Sequence, residues 1–289
     1  MVFIFICIIS VLLIVLYITI IKTYFRNGDD KISYNVLLKH FIQKVSENNY
    51  YMNYGYWGED TKTLYEANKN LIKLVLEKSK MSEKQGIKIL DVGCGYGDQD
   101  IEWSNQIDKS NKITAVDISE EQINNATNKK SDVKFEVCDA EEIDIKYNNE
   151  KFDTIISLES AFHYKKRNKF YNNVNKLLSE DGKFIITDIM LRKECNNGII
   201  MRMMIYIFSE FLCIPKDNLI NEEEWEKNMS SELNIEESID ITEKTFEPYY
   251  KNFMMNYFKN SEIMGKLFSN FFCDYQPFAY KIVICSKKK

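Results

Sequence analysis

The chain has 289 residues, 45% of them hydrophobic and 28% charged, so it can build a sizeable core and does not have the composition of a disordered chain. Its net charge of -5, with lysines and acids interspersed, gives no electrostatic reason to expect nucleic acid as a partner. Seven cysteines without a CxxC pair argue against a zinc-type metal site and favour a reducing compartment.

The first 21 residues are predominantly apolar and carry no charge. Their length meets the ~20 residues that a membrane-spanning helix needs. A cleavable signal peptide is less favoured, because no basic region precedes the segment and no small-residue cleavage site follows it. The basic residues that follow are Lys22, Arg26 and Lys31. By the positive-inside rule they place the rest of the chain in the cytosol. We predict a transmembrane anchor over 1–21, a juxtamembrane linker over 22–49 and one domain over 50–289.

Within that domain, apolar periodicity predicts helices and strands in alternation. A first helix is predicted over 61–80. The strands are predicted at "IKILDVGCGYG", "KITAVD", "VKFEVCD", "FDTIISL" and "KFIITDI". Helices are predicted between them over 98–107 and 120–130, the latter with a capping signature at Ser119. A further helix carries Phe170, Val174, Leu177 and Leu178 on one face and is predicted to end at a turn at Gly182.

Strands that alternate with helices of this length predict a parallel, doubly wound α/β sheet. In such a sheet, ligands bind beyond the carboxyl ends of the strands. After Asp188 the pattern changes, and we predict a helical cap over about 191–232. "IEESIDIT" and "FAYKIVICS" then predict a final strand pair, separated by an aromatic-rich helical stretch. The residues just after each strand are therefore the candidates for function.

The first strand runs into a glycine turn, "DVGCGYG", which lets the backbone approach a ligand closely. Its G-x-G-x-G spacing differs from the G-x-G-x-x-G of dinucleotide-binding proteins. Asp91 stands two residues before the first glycine, where an acid suits a positively charged ligand better than a pyrophosphate. Asp117 and Asp139 end the next two strands, where carboxylates can accept from ribose hydroxyls and from the amine of adenine.

Five segments together resemble the class I S-adenosylmethionine-dependent methyltransferases. They are "ILDVGCGYG", "AVDIS", "VCDAEEI", "FDTIISLESAFHY" and "LLSEDGKFIITDI". The resemblance covers about residues 87–190. It implies a Rossmann-like sheet of seven strands with the last one antiparallel, and S-adenosylmethionine as cofactor. The core cofactor contacts that it implies are Asp91, Gly93, Cys94, Gly95, Gly97, Asp117, Ile118, Asp139, Ala140, Glu141 and Leu158.

The segment "YMNYGYWGEDTKTLYEANKNLI" narrows the resemblance to the small-molecule branch, which includes sugar O-methyltransferases, sterol and tocopherol methyltransferases and phosphoethanolamine methyltransferases. In that branch a strip rich in Tyr and Trp folds over the cofactor, and Tyr54, Tyr56 and Trp57 match it here. Ring faces attract a cation such as a sulfonium. The alternative is that these rings only pack against the first helix.

His163 follows the fourth strand in "SLESAFHY". In that branch a histidine at this position faces the acceptor and works with an Asp at the end of the fifth strand, which Asp188 matches. An adjacent Asp188 would raise the pKa of His163 and orient its ring. The alternative is that His163 caps the next helix and hydrogen-bonds a loop carbonyl. Glu159 either holds an acceptor amine or hydrogen-bonds the N-terminal strip.

The sequence thus predicts a membrane-anchored, cytosol-facing methyltransferase. It would transfer a methyl group to a small or lipid-like acceptor by in-line displacement, with His163 as the base. Two alternatives stay open: a non-catalytic membrane-anchored adaptor of the same fold, and an oxidoreductase that uses a nucleotide cofactor. The acceptor atom and the oligomeric state are not indicated.

Overall fold

The computed structural model describes residues 50–193, 198–256 and 262–289. The predicted anchor over 1–21 and linker over 22–49 lie outside these ranges. Among the helices of the described residues, none is both long and apolar enough to cross a membrane.

The domain is built on a seven-stranded sheet in the order β3-β2-β1-β4-β5-β7-β6. The strands are β1 Lys88–Val92, β2 Lys112–Asp117, β3 Lys134–Val137, β4 Phe152–Leu158, β5 Leu178–Leu191, β6 Leu233–Asp240 and β7 Phe278–Lys287. β7 runs antiparallel to β5 and β6, and the pairs among β1 to β5 are parallel. The predicted seven-stranded sheet with an antiparallel last strand is confirmed.

Helices follow the strands in the predicted alternation. In the described residues the α-helices are α1 Leu64–Ser79, α2 Asp98–Ser104, α3 Glu120–Thr127, α4 Ile143–Lys146, α5 Arg167–Leu177, α6 Ile199–Phe211, α7 Glu222–Glu232, α8 Phe246–Asn252 and α9 Glu262–Ser269. A π-helical turn covers Asn270–Tyr275, and short 3-10 turns cover Met81–Glu83, Ala140–Glu142, Ala161–His163, Lys216–Asn218, Thr242–Lys244 and Met254–Asn256. α1 starts at a full capping box, in which Thr63 and Glu66 bond each other's backbone N–H.

The two faces of the sheet carry separate apolar clusters, because successive side chains of a strand point to opposite sides. In β1, Ile89 packs into the first cluster with α1 and α6, whereas Leu90 packs into the second cluster with α5 and α7. Trp225 and Met229 of α7 belong to the second cluster. Within the predicted cap range, α6 therefore belongs to the first face and α7 covers the second.

The predicted end of α5, the helix between the fourth and fifth strands, is wrong. α5 ends at Leu177, and Leu178 already lies in β5, where it pairs with Phe152. Gly182 lies inside β5 and is not among the glycines with positive φ. A Cβ at Gly182 would lie 3.0 Å from the carbonyl oxygen of Phe152, so close packing against β4 is what favours glycine there.

Candidate active site

The glycine turn after β1 has the backbone shape that its sequence predicts. Gly93, Gly95 and Gly97 have φ values of 85°, 57° and 73°, a region in which an L side chain is strained. A Cβ on Gly93 would lie 1.9 Å from Oγ of Ser160. The turn therefore touches the segment that follows β4, and only glycine allows this approach.

Asp117 ties the glycine turn to the end of β2. Its carboxylate accepts the backbone N–H of Gly95 at 3.0 Å and that of Ser119 at 2.8 Å. Burial raises the pKa of Asp117 above its ordinary value, while these two bonds oppose the shift. Each oxygen still has a lone pair for a ligand hydroxyl. Ile118 beside it is 41% exposed, an apolar surface at a strand end that suits a flat ring.

Asp139 starts the 3-10 turn that follows β3. Its side chain accepts the N–H of Glu141 at 2.9 Å, and Ala140 between them is buried. Glu141 in turn accepts the N–H of Lys166, ahead of α5, at 2.8 Å. These residues are thus brought to the same edge of the sheet as Asp117, where the resemblance predicts them at the adenine.

Asp91 is buried at the end of β1. Its Oδ2 accepts the side-chain amide of Gln99 at 2.6 Å, and its Oδ1 has no hydrogen-bond partner among the described residues. Cys94 and Leu158 nearby are buried as well, and burial raises the pKa of the Cys94 thiol, as suits a packing residue. An unpaired buried carboxylate oxygen fits a ligand that brings a positive charge.

The start of the described chain covers the glycine turn, through residues that the sequence analysis missed. A Cβ on Gly95 would lie 2.9 Å from Cε of Met52. The ring centroid of Tyr50 lies 5.0 Å from that of Tyr96 in the turn. Their place two and four residues ahead of Tyr54, the first residue of the predicted strip, was the available signal.

The predicted aromatic strip packs against helices. The backbone N–H of Tyr56 donates to the carbonyl of Ala67 in α1 at 2.8 Å. The backbone N–H of Trp57 donates to the carbonyl of Lys244 at 2.7 Å. The ring centroid of Tyr54 lies 4.9 Å from that of Tyr249 in α8. Backbone hydrogen bonds and ring contacts thus hold these three residues in place, and their predicted contact with the cofactor stays a prediction.

Glu159 joins the strip to the sheet. Its carboxylate accepts the N–H of Tyr54 at 2.9 Å and the hydroxyl of Tyr280. Its φ of 49° is left-handed, an uncommon conformation for a residue with a side chain. Burial raises the pKa of Glu159 to about 8. Of its two predicted roles, the hydrogen bond to the N-terminal strip is the one that the structure shows.

This carboxyl makes stability depend on pH. In the unfolded chain Glu159 loses its proton near its ordinary value of 4.5, whereas the folded chain holds it to about 8. The folded state then binds more protons, so stability falls as pH rises between these values, by at most about 1.4 kcal/mol per pH unit. We expect Glu159→Gln to flatten this part of the curve of melting temperature against pH. Parallel curves for the two proteins would contradict it.

His163 does not meet Asp188, so the predicted contact is wrong. Asp188 accepts a bond from Nη1 of Arg167 and one from Nε1 of Trp225, each at 2.7 Å, on the face of the second cluster. The Nδ1 of His163 lies 3.5 Å from the carbonyl oxygen of Cys213, next to the first cluster. Successive residues of β5 point to opposite faces, which puts Asp188 with Trp225 and away from the histidine.

The pKa of His163 moves opposite to the prediction. Burial lowers it to about 4, and the Cys213 carbonyl opposes this only in part. The ring is therefore neutral at pH 7. The contact with a loop carbonyl matches one part of the alternative, whereas no side-chain hydrogen bond from the described residues caps α5; the role of His163 as a base stays a prediction.

Together these residues fit S-adenosylmethionine. The glycine turn allows close approach, Asp117 keeps acceptor lone pairs for hydroxyls, and the unpaired oxygen of Asp91 suits a cationic group. Ile118, Asp139 and Ala140 stand at the adjacent strand ends.

Comparisons with known proteins point the same way. A family model described as a methyltransferase domain matches residues 83–259. The chain is 32% identical to erythromycin 3''-O-methyltransferase of Saccharopolyspora erythraea, over 51% of this chain and 50% of that protein. It thus spans about half the length of this curated relative.

Two solved structures share the fold. A putative sarcosine dimethylglycine methyltransferase from Galdieria sulphuraria superposes with a TM-score of 0.71 at 14% identity, covering 88% of this chain and 98% of that one. A geranyl diphosphate methyltransferase in complex with SAM superposes with a TM-score of 0.65 at 16% identity, covering 83% and 99%. At these identities the likeness concerns the fold.

Proposed function

The chain belongs to the methyltransferase domain family, of the class that uses S-adenosylmethionine as methyl donor, and we propose that it methylates a small or lipid-like acceptor beyond the ends of β4 and β5. The observation that carries the proposal is the joint geometry of the glycine turn and the acids. Asp91, Asp117 and Asp139 lie at the ends of three adjacent strands around that turn. Such a site suits a ligand with a cationic end, a ribose and an adenine.

S-adenosylmethionine, when bound, supplies an electrophilic methyl group. The chain's own residues hold and orient the reactants, which is most of the work in an in-line displacement. Asp117 binds ribose hydroxyls, and Met52 with the glycine turn encloses the site. The neutral His163 accepts a hydrogen bond from the acceptor's O–H or N–H and takes its proton during transfer. Glu159 holds the N-terminal strip in place.

A lipid-like acceptor is supported by helix α6. Its inner face packs into the first cluster, yet its outer side also presents apolar residues at helical spacing: Ile199, Met203 and Tyr206, with Ile199 77% exposed. The Nζ of Lys216 lies 5.4 Å from the ring centroid of Tyr206. An exposed apolar face beside basic residues suits the surface of a bilayer. We propose further that residues 1–21 anchor the domain on the cytosolic side of a membrane.

Substitution of His163 tests its role. His163→Ala should lower turnover about 100-fold, the lower end of what a general base contributes, since its low pKa makes the ring a weak base. His163→Gln keeps an N–H for the Cys213 carbonyl but cannot take a proton. Both variants should bind S-adenosylmethionine as the unaltered chain does, measured by calorimetry. Full turnover of the Gln variant would assign the histidine a packing role.

The proposed reaction is tested with the full chain in detergent and methyl-labelled S-adenosylmethionine. The protein is incubated separately with lipid and with aqueous cell extracts, and we expect label in the lipid fraction. Label in the aqueous fraction alone would contradict the lipid part. Cofactor binding without label in either fraction would favour the adaptor, and binding of a nicotinamide cofactor instead would favour the oxidoreductase.

A further inference from the structure

Two buried carboxyl groups flank the glycine turn in sequence and lie within hydrogen-bonding reach of each other. Asp91 lies in β1 and Asp100 in the first turn of α2, and both are 0% exposed. Oδ1 of Asp91 and both carboxyl oxygens of Asp100 find no donor among the described residues. Two carboxylates are both acceptors, so they can bond to each other only through a proton.

The surroundings of the pair are acidic or neutral. The titratable groups that face it are Asp117 from β2, Cys94 from the glycine turn, Asp98 from α2 and Tyr164 from the segment after β4. The nearby amine of Lys129 bonds Asp98 at 2.6 Å. The side-chain amide of Gln99 is the donor to Asp91. Within the described residues, the pair therefore has no cationic partner.

Two buried acids in contact cannot both ionise without a counter-charge. Burial raises the pKa of both Asp91 and Asp100 above the ordinary value of an aspartate; the charge of Asp117 adds to the rise at Asp91, and that of Asp91 to the rise at Asp100. The protons belong to the pair as a whole. At neutral pH the pair therefore retains at least one proton in the ligand-free protein.

We propose that the Asp91–Asp100 pair exchanges this proton for the cationic amino group of S-adenosylmethionine, so that binding releases about one proton. One carboxyl group of the pair releases its proton to the buffer, so that both carboxyl groups are negatively charged. The ammonium group of the ligand keeps its three protons, and its positive charge balances the second negative charge of the pair. Asp100 is thereby a cofactor-binding residue alongside Asp91. This inference rests on the proposed function.

The proposal predicts tighter binding at higher pH. Below the pH at which the pair loses its last proton, that proton must be displaced, so the affinity rises by up to about tenfold per pH unit. Because the amino group of the ligand is the exchanging cation, methylthioadenosine, which lacks the amino acid portion, should bind without this dependence.

The test is calorimetry of the full chain at pH 7 in two buffers of different ionisation enthalpy, which counts protons released per ligand bound. We expect about one proton with S-adenosylmethionine and none with methylthioadenosine. Asp100→Asn should bring the release by S-adenosylmethionine close to zero and flatten the pH dependence of its Kd. Asp98→Asn, in the same turn of α2 but paired with Lys129, is the matched control and should keep the release.

Binding without proton release, or equal release with both ligands, overturns the inference and leaves the proposed function standing. Unchanged release in Asp100→Asn overturns it as well. Should that variant not fold, the comparison of the two ligands on the unaltered chain still decides. A chain that binds no S-adenosylmethionine at all would instead overturn the proposed function.

Discussion

Asp117→Ala is expected to weaken S-adenosylmethionine binding by about 100-fold or more. The substitution removes the carboxylate that we propose binds the ribose hydroxyls, and hydrogen bonds to a charged group contribute about 1.5–3 kcal/mol each. It also leaves the N–H groups of Gly95 and Ser119 without their acceptor, so the glycine turn loses its tie to β2. The measurement is the Kd of S-adenosylmethionine by calorimetry.

Two further variants separate the causes. Asp117→Asn keeps one acceptor oxygen for the glycine turn and should lose about tenfold in affinity, because the charge is gone while part of the geometry remains. Asp132→Ala changes an exposed acid just before β3, at the other end of a strand, and should leave the Kd unaltered. If the Asp117→Ala protein folds and binds S-adenosylmethionine with an unaltered Kd, Asp117 does not contribute to cofactor binding.

The part of the site that the sequence predicts well is local. The glycine turn and the acids that follow β1, β2 and β3 each depend on a strand and the few residues after it, so period-two patterning and spacing suffice. Parallel strands then bring these ends to one edge of the sheet. The antiparallel direction of β7 was implied by the resemblance, and its position between β5 and β6 was not predicted, because pairing across a long insertion leaves no local pattern.

Contacts between distant segments were harder to predict. The partner of Asp188 is Arg167, at the start of α5, together with Trp225, after α6. Strand alternation assigns Asp188 to the face of Ile186 and Met190, yet the side on which His163 lies depends on the path of the chain beyond β4. The contact of Met52 with the glycine turn likewise depends on tertiary packing.

The role of Asp100 could not be predicted from the sequence for a different reason. Its position in the first turn of α2 is an ordinary place for an acid, because acids there are favoured by the helix dipole. Nothing in the spacing indicates that the side chain turns inward beside Asp91. Only its complete burial and its unpaired oxygens separate it from Asp98, two residues earlier, which bonds Lys129.

Removal of Asp188 is expected to destabilise the fold strongly. Its ion pair with Arg167 is buried, and the guanidinium also donates to the carbonyl of Asn218 at 3.0 Å. Asp188→Ala leaves that guanidinium charged and buried without its counter-ion, which costs about 3–5 kcal/mol. In a domain of this size the melting temperature should fall by about 10 °C. Glu223→Ala, which breaks the exposed pair with Lys193, should cost about 0–1 kcal/mol.

A structural role for Asp188 and a catalytic one make different predictions. If the pair only stabilises the fold, Arg167→Met combined with Asp188→Leu should recover most of the lost stability, because an apolar pair can replace a buried ion pair. The NMR titration of His163 should be unchanged in the milder Asp188→Asn variant, because Asp188 bonds Arg167 and Trp225 whereas the ring of His163 lies at the carbonyl of Cys213. A fall of one unit or more in the pKa of His163 would instead indicate that Asp188 lies beside His163 and supports it as a base, since an adjacent carboxylate favours the imidazolium.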